Sequence, residues 1–336
     1  MTGLFIILIL VLFLPFTVKK VEHNLEVFLF IMGILAAWVG GVFNSDLLLK
    51  SLEDPINITL AVLIAGLLFK WFQSPLEKGI QLASDKTPFP LFVALIVVVL
   101  GLLSSVITAI IAALVLVLIV SVLKLDRQSE IRLVVLACFS IGLGAALTPI
   151  GEPLSTITTS KLNEHFFYLM DLIGPYVIVG IIGLGILTAL WIKPVQAKNS
   201  LAGDKQTETY GEILIRSVKI YLFVMGLTLL GAGFEPLINR FLIGLNPFIL
   251  YWVNMLSAIL DNATLASAEI SPEMTAGTIK AILLGLLISG GMLIPGNIPN
   301  IISAGKLNIT SKEWARYGLP IGLVVMAIYF VVLLIF

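Results

Sequence analysis

Residues 147–153 read Leu-Thr-Pro-Ile-Gly-Glu-Pro, and residues 294–300 read Ile-Pro-Gly-Asn-Ile-Pro-Asn. Each stretch lies inside a long apolar segment, and its prolines and glycine interrupt a helix there. Backbone that is not helical at membrane depth needs partners in protein or in a water-filled cavity, because lipid offers no hydrogen bonds. The two stretches therefore predict a membrane protein built around two broken helices.

The composition is that of an integral membrane protein. The chain has 336 residues, of which 59% are hydrophobic and 12% are charged, and its mean hydropathy is +1.10. Soluble domains carry about 25% charged residues, and the apolar runs here approach or match the roughly 30 Å hydrocarbon core of a bilayer. This excludes a soluble enzyme, a nucleic-acid binder and a secreted scaffold. The single cysteine, Cys138, excludes an internal disulfide and a cysteine-based metal site.

The apolar segments predict an all-α, multi-pass protein of the cell (inner or plasma) membrane, in contact with the lipid bilayer. The first segment, 4–18, has no preceding basic residue and no cleavage site, so we interpret it as a retained span. The predicted order is N-terminal scaffold spans at 1–87, a first repeat at 88–192, a cytoplasmic linker at 193–212 and a second repeat at 213–336.

Each predicted repeat contains a hairpin, a broken helix and a following span, and the second repeat also begins with a scaffold span. The hairpins turn around 104–108 and 260–264, and the helices break at 148–153 and 294–299. The first hairpin is either a full pair of spans or re-entrant. With these crossings most of the 20 Lys and Arg residues lie on one side. The positive-inside rule makes that side cytoplasmic and puts both termini outside.

The two halves match each other in sequence. The Pro-x-x-x-Pro strings 149–153 and 295–299 align, and three further pairs follow the same order: Leu103-Ser104 with Leu256-Ser257, Lys161-Leu-Asn163 with Lys306-Leu-Asn308, and Pro175 with Pro320. Three predicted crossings separate the hairpin tips, and this odd number predicts inverted repeats, which are typical of secondary transporters. A further match, between 29–33 and 222–226, does not fit this parity and is interpreted as chance.

Asp261 is the strongest single candidate for an ion-binding residue. It follows an apolar stretch and has no basic neighbour in the sequence. An aspartate at membrane depth costs about 2.5–3.5 kcal/mol on insertion scales, so such residues are functional by default. Asn262 and Thr264 add an amide and a hydroxyl in the same turn. The alternative is a shallow hairpin in which Asp261 only caps a short extracellular helix.

Polar residues at the two breaks supply further candidates. Glu152, between Gly151 and Pro153, is either a second titratable carboxyl or the cap of the following half-helix. The other polar groups serve either a bound Na⁺ or the broken backbone; they are Thr148, Ser155, Gly296, Asn297 and Asn300. The candidate Na⁺ ligands are Asp261, Asn262 and Asn297.

The first hairpin tip is poorer in ligands. It carries Ser104, Ser105 and Thr108, without an acid or an amide, so we expect it to close the cavity and to contribute a hydroxyl at most. Glu269 and Glu273 follow the second hairpin and are expected to be solvated.

Three strings of this chain resemble signatures of the ion transporter (IT) superfamily: 147–153, Leu260-Asp-Asn-Ala-Thr264 and 294–300. The resemblance extends from about residue 88 to the C-terminus. The superfamily includes NhaD-type sodium/proton antiporters, arsenite permeases and sodium-coupled dicarboxylate and citrate carriers. This chain is most similar to a branch of small prokaryotic proteins described as cation transporters.

The resemblance implies two hairpins and two unwound helices around one site, a scaffold domain separate from a transport domain, and homodimers. By this resemblance, the acidic tip of the second hairpin consists of Asp261, Asn262 and Thr264. The residues that line the two breaks are Gly151, Glu152, Gly296 and Asn297. The first tip departs from the family pattern, because it lacks the usual Asn or Asp.

We therefore expect a secondary transporter and not an enzyme, with no cofactor and no nucleic acid as partner. The leading expectation is a cation/proton antiporter in which Asp261 binds either a proton or Na⁺ (or Li⁺), because competition for one carboxylate couples the two fluxes. The alternative is a sodium- or proton-coupled carrier of a small anion of the dicarboxylate, citrate or arsenite type. No Lys or Arg lies beside the breaks, but helix N-termini alone can hold anions.

Overall fold

The computed structural model describes residues 2–22, 24–123, 125–193, 209–241, 245–260 and 262–335. Within these residues the chain is helical and has no strand, which confirms the all-α prediction. The helices are α1 Thr2–Thr17, α2 Lys19–Glu22, α3 Leu25–Val39, α4 Ser45–Lys86, α5 Phe89–Ile107, α6 Ala109–Leu123, α7 Arg127–Ala145, α8 Pro153–Leu162, α9 Tyr168–Trp191, α10 Tyr210–Phe241, α11 Pro247–Val253, α12 Asn262–Glu269, α13 Ala276–Gly290, α14 Ile298–Leu307 and α15 Ser311–Ile335. Two short 3-10 helices cover Asn254–Ala258 and Ile294–Gly296.

Five of the described helices are long and apolar enough to cross a membrane, judged by length and composition: α5, α7, α9, α10 over Tyr210–Leu237, and α15. Their exposed faces are rich in large apolar side chains such as Val179, Leu190 and Val324. These features fit a protein embedded in a membrane. Most of the predicted linker 193–212, and Asp261, lie outside the described residues.

The long helix α4 occupies much of the region predicted to hold the N-terminal scaffold spans. It continues from Ser45 to Lys86 with Pro55 and Pro75 inside it. It begins at a regular cap, because the side chain of Asn44 accepts a hydrogen bond from the Leu47 backbone N–H at 2.8 Å. Helix-forming residues such as Leu76, Glu77 and Lys78 favour continuation of the helix after Pro75.

Two parts of the chain have the same order of elements. A pair of helices (α5–α6, and α11 with α12) precedes a helix that stops (α7, α13), a short helix (α8, α14) and a long helix (α9, α15). The short helices end alike, since Asn163 and Asn308 both adopt the left-handed conformation, with φ of 55° and 51°. Pro175 and Pro320 lie inside the long helices. The short helices, each followed by a long helix, therefore occur in the same order in the two parts of the chain.

The two parts exchange contacts with each other. The second arm of the first pair, α6, packs against α14, and the corresponding arm of the second pair, α12, packs against α8. Cys138 in α7 also contacts α14, where its sulfur lies 3.5 Å from the Ser303 hydroxyl. Each short helix is thus supported by the other half of the chain.

Long-range contacts define which helix ends lie together. Arg132, near the beginning of α7, stacks over Trp191 at the end of α9 and over Tyr317 near the beginning of α15, at 4.9 and 5.2 Å. At the other end, the hydroxyl of Tyr329, late in α15, donates to the backbone carbonyl of Tyr176 in the first half of α9 at 2.7 Å. The helices α9 and α15 therefore run in opposite directions.

The beginning of α7 is also tied to the end of α14. The Arg127 guanidinium donates to the backbone carbonyls of Leu307 and Asn308, at 3.0 and 2.8 Å, and forms a salt bridge with Glu313 at 2.8 Å. A cation is favourable at this position, because the carbonyls at the end of a helix carry partial negative charge. One arginine therefore joins α7, α14 and α15 at one end of the molecule.

Helices α3 and α10 pack along two glycine pairs. A Cβ on Gly33 would lie 2.5 Å from the Gly226 carbonyl oxygen, and a Cβ on Gly40 would lie 2.5 Å from the Gly233 carbonyl oxygen. The pairing shows that the two helices run in the same direction, with their backbones in close contact. The similar strings 29–33 and 222–226, interpreted above as chance, are therefore the surfaces through which α3 and α10 meet.

We predict that Gly226→Ala lowers the thermal stability of the purified protein. A Cβ at this position would lie 2.7 Å from the Phe30 backbone nitrogen, and overpacking of this kind costs about 1–3 kcal/mol. Gly183→Ala in α9 is the matched control, since its Cβ meets no atom within 4 Å. Thermal unfolding in detergent measures both. Equal unfolding temperatures for the two variants would contradict the close approach of α3 and α10.

Candidate functional site

The first break begins where α7 stops and ends where α8 begins. Ala146 closes α7 in helical geometry, and Glu152 precedes α8 in an extended conformation, with φ −157° and ψ 161°. Pro153 is the first residue of α8, where its missing N–H leaves no partner unsatisfied. A Cβ on Gly151 would collide with the Ala145 carbonyl oxygen. Only glycine fits there without moving the backbone, so the Pro-x-Gly-x-Pro pattern has a steric reason.

The tip between α5 and α6 is hydrogen-bonded to this break. The Ala109 backbone N–H donates to the Gly151 carbonyl at 2.9 Å, and the Thr148 hydroxyl donates to the Ser105 carbonyl. Thr108, the residue between the two helices, has φ 75° and ψ 150°. A β-branched residue at positive φ is strained and persists only where its surroundings hold it. The tip therefore supplies partners to the broken backbone and is itself held in a strained conformation.

The second break has the same construction. Asn297 precedes α14 in an extended conformation, with φ −154° and ψ 148°, close to the values of Glu152. The Asn300 side-chain amide donates to the Gly290 carbonyl at the end of α13, at 2.8 Å, and to the Leu293 carbonyl within the break, at 2.9 Å. A Cβ on Gly296 would lie 2.7 Å from the Ser257 carbonyl oxygen. The segment after α11 thus packs on the second break, as the first tip packs on the first.

Equivalent hydrogen bonds show which residues of the two breaks correspond to each other. Ser155 donates to the Ala145 carbonyl at 3.5 Å, in the position where Asn300 donates to Gly290. Ser104 donates to the Ile141 carbonyl at 2.9 Å, and Ser257, predicted as its counterpart, donates to the Leu286 carbonyl at 3.2 Å. In this register Glu152 corresponds to Asn297. The sequence alignment superposed the two Pro-x-x-x-Pro strings. That pairing is shifted by one residue from the pairing that these hydrogen bonds give.

A cavity of about 370 Å³ lies where the first tip meets both breaks. Among its described lining residues Glu152 has the only formal charge, and its side chain is 5% exposed. Three helices, α6, α8 and α14, begin at this cavity. Its lining residues are Thr108, Ala109, Ile110, Pro149, Ile150, Gly151, Glu152, Pro153, Thr156, Ile157, Asn297 and Ile298.

The structure brings four of the predicted site residues to this cavity: Thr108, Gly151, Glu152 and Asn297. Four others are buried, but their hydroxyls bond to backbone carbonyls and they do not line the cavity: Ser104, Ser105, Thr148 and Ser155. The Thr148 and Ser155 hydroxyls join the first break to the Ser105 and Ala145 carbonyls, whereas the Ser104 and Ser105 hydroxyls bond to carbonyls of α5 and α7. Of the first tip, Thr108 lines the cavity.

A second group of predicted residues lies behind the second break. Asn262 is 3% exposed, and a Cβ on Gly290 would lie 3.8 Å from its side-chain nitrogen. Gly296 and Asn300 belong to the same buried region. Asp261 lies outside the described residues, and of Thr264 only the backbone is described, in α12. Asp261 as an ion ligand therefore stays a prediction.

Several residues of the region were missed. The apolar wall of the cavity, Ile110, Ile157 and Ile298, has no distinguishing sequence signal because isoleucine is common throughout the chain. Glu269, expected to be solvated, is 3% exposed, and the Asn254 side-chain amide donates to its carboxylate at 3.0 Å. Glu273 is exposed, as expected. No local pattern separates these two glutamates, since burial of Glu269 depends on how α12 packs.

Within the described part of the chain, no three His, Cys, Asp or Glu residues come together as a metal site. The oxygen atoms near the breaks come instead from carbonyls, amides, hydroxyls and Glu152. Asn297 lies against α7, because a Cβ on Gly142 would lie 2.6 Å from its side-chain nitrogen. Such oxygen donors suit hard cations and do not suit soft metal ions.

We predict that Asn300→Ala destabilises the protein more than Ser155→Ala. The first change leaves the Gly290 carbonyl without its donor, at about 1–3 kcal/mol, and also removes one of the two hydrogen bonds to the Leu293 carbonyl, whereas the second removes one long hydrogen bond of 3.5 Å. Chemical unfolding in detergent compares the two variants. Equal destabilisation would show that the amide is not what holds the second break.

Comparison with known proteins gives one family. The chain matches no curated protein. Residues 1–336, the whole of the chain, match the family described as "Protein of unknown function (DUF1646)". The chain therefore belongs to the DUF1646 family.

Proposed function

We propose that this protein is a secondary active transporter that exchanges a small cation, foremost Na⁺, for protons by alternating access. The single observation that supports this most strongly is the cavity shared by the first tip and both breaks, with the buried carboxyl of Glu152 in its lining. A carboxylate in such a cavity binds either a proton or a cation, and this competition couples two opposed fluxes.

The charges around the cavity favour a cation over an anion. The beginnings of α6, α8 and α14 present partial positive charge, each worth about 0.3–1 kcal/mol to an anion. A unit charge in contact with a carboxylate at about 4 Å is worth roughly 4 kcal/mol at an effective dielectric constant near 20. When Glu152 is ionised, it is itself the anion that the helix beginnings stabilise. An incoming cation therefore competes with a proton for this carboxylate.

The directions of the helices support an inverted-repeat architecture. The indole of Trp314, near the beginning of α15, donates to the Gly291 carbonyl at the end of α13. Near the beginning of the same helix, Tyr317 contacts Arg132 at the beginning of α7. The counterparts α7 and α13 thus run in opposite directions, as do α9 and α15. Inverted repeats around broken helices are the usual architecture of transporters with a site near the middle of the membrane.

A second cavity supports a route for alternating access. It has a volume of about 230 Å³ and lies between α3, α10 and α14. Ile294 of the second break lines it, and so do Glu26 and Lys219, which form an ion pair at 2.8 Å. The second break and α14 therefore separate two cavities. Movement of α14 relative to α3 and α10 would connect the site to one face and then to the other.

The sequence adds Asp261 to this proposal. It follows an apolar stretch of the sequence, and an acid at membrane depth is expected to take part in ion binding. We propose that Asp261 and Glu152 share the cations and protons of the exchange.

A coupled carrier of a small anion, of the dicarboxylate, citrate or arsenite type, is the second candidate. One observation favours it, the convergence of three helix beginnings on one cavity. Against it, the described lining residues include no Lys or Arg, and Glu152 would repel an anionic substrate.

Transport in liposomes tests the proposal. With purified protein and an internal pH dye, we expect proton movement when Na⁺ or Li⁺ is added, and none when choline replaces the cation. Glu152→Gln should reduce this exchange at least about tenfold, since 1.4 kcal/mol of lost binding is already a factor of ten. Glu164→Gln, in an exposed position after α8, is the matched control and should exchange normally.

Asp261→Asn should also abolish coupled flux in a folded protein, and wild-type exchange in this variant would remove Asp261 from the mechanism. Uptake of a labelled dicarboxylate or of arsenite, without proton movement on cation addition, would establish the second candidate and contradict the first.

A further inference from the structure

A buried polar pair lies outside the cavity, at the two ends of the segment after α11. Asn254 begins the 3-10 helix, and Glu269 is the last residue of α12. Asn254 has no exposed surface and Glu269 is 3% exposed. The Ser289 hydroxyl donates to the Asn254 backbone carbonyl at 2.7 Å, which fixes Asn254 against α13. Neither side chain lines the cavity at the breaks.

The hydrogen bonding of this pair is incomplete. The Asn254 amide nitrogen donates to one carboxylate oxygen of Glu269, Oε2, at 3.0 Å. The other carboxylate oxygen, Oε1, and the amide oxygen of Asn254, Oδ1, are buried without a hydrogen-bond partner among the described residues. Two acceptors of one pair are therefore left without a donor, although buried polar atoms are almost always paired.

Within the part of the chain that the structure describes, no salt bridge compensates a charge on Glu269. The elements packed against α12 are α8, α10, α13 and the 3-10 helix at Asn254. Among the described residues no salt bridge joins Glu269 to the charged side chains of these elements or to the N-cap of α8. Those residues are Glu152, Lys161, Glu212, Lys219, Glu235, Arg240 and Lys280. Lys219 pairs with Glu26, and Lys280 donates to the Tyr176 hydroxyl.

We propose that Glu269 and Asn254 form a proton-binding site, separate from the cavity at the breaks, in which Glu269 is a neutral carboxylic acid. Its O–H group donates to Oδ1 of Asn254, while Nδ2 of Asn254 donates to Oε2. One bound proton thus supplies the donor that both unpaired oxygens lack, and it removes a buried charge that forms no salt bridge with the described residues. Loss of that proton would leave two acceptors facing each other around an unpaired charge.

This inference is independent of the transport proposal. It concerns the protonation of one side chain and holds whether or not the protein exchanges cations. If the exchange proposal is also correct, the protein has a protonation site in the neighbourhood of the second break in addition to Glu152.

Infrared spectroscopy of the purified wild-type protein at neutral pH tests the inference directly. A protonated carboxylic acid has a C=O stretching band that an ionised carboxylate lacks, and the band shifts in D₂O. We expect this band in the wild type and its loss in Glu269→Gln. Glu273→Gln, which changes an exposed glutamate close by, should retain the band. A wild-type band that Glu269→Gln leaves unchanged would overturn the proposal.

Thermal unfolding gives a second measurement that does not depend on the band. Glutamine reproduces the neutral acid, since its amide can donate to Oδ1 and accept from Nδ2 of Asn254. We expect Glu269→Gln to keep the unfolding temperature of the wild type, and Glu269→Ala to lower it by roughly 2–4 °C or more. A fall for Glu269→Gln equal to that for Glu269→Ala would contradict a neutral acid at this position.

Discussion

The broken backbone of the two interrupted helices must find hydrogen-bond partners inside the protein, and the rest of the structure depends on this requirement. Lipid supplies no partner, so each break is met by another part of the chain. Ala109 and Thr148 join the first break to the tip between α5 and α6, and the amide of Asn300 satisfies the end of α13. The helix pairs are therefore necessary components of the breaks and not separate additions.

The same requirement creates the site. Where the first tip packs against the first break, the beginnings of α6, α8 and α14 line one cavity. Glu152 lines the same cavity. A carboxylate there is stabilised by the helix beginnings, and under the proposal it binds a cation or a proton. The position that corresponds to Glu152 in the other break is occupied by Asn297, so the two breaks have similar backbones but different charges. This asymmetry supports one ion site with one acid at the breaks.

The main elements were predictable because their signals are local. Prolines and glycines at 149–153 and 295–299 mark the breaks, and Asn163 and Asn308 mark the ends of the short helices. Features that depend on contacts between distant segments were not predictable. The burial of Glu269 depends on how α12 packs. The contact of α3 with α10 depends on glycines that lie far apart in the chain. The register of the breaks also required hydrogen bonds, because matching prolines misaligned Glu152 and Asn297 by one residue.

Competition between a cation and a proton for one buried site is the central claim, and proton release in weakly buffered detergent solution measures it most directly. Addition of NaCl to the purified wild-type protein should release on the order of one proton per chain, since the cation displaces a proton from a shared carboxylate. Choline chloride at the same concentration should release none. If Na⁺, Li⁺ and K⁺ all bind without proton release, or none of them binds, the exchange mechanism is contradicted.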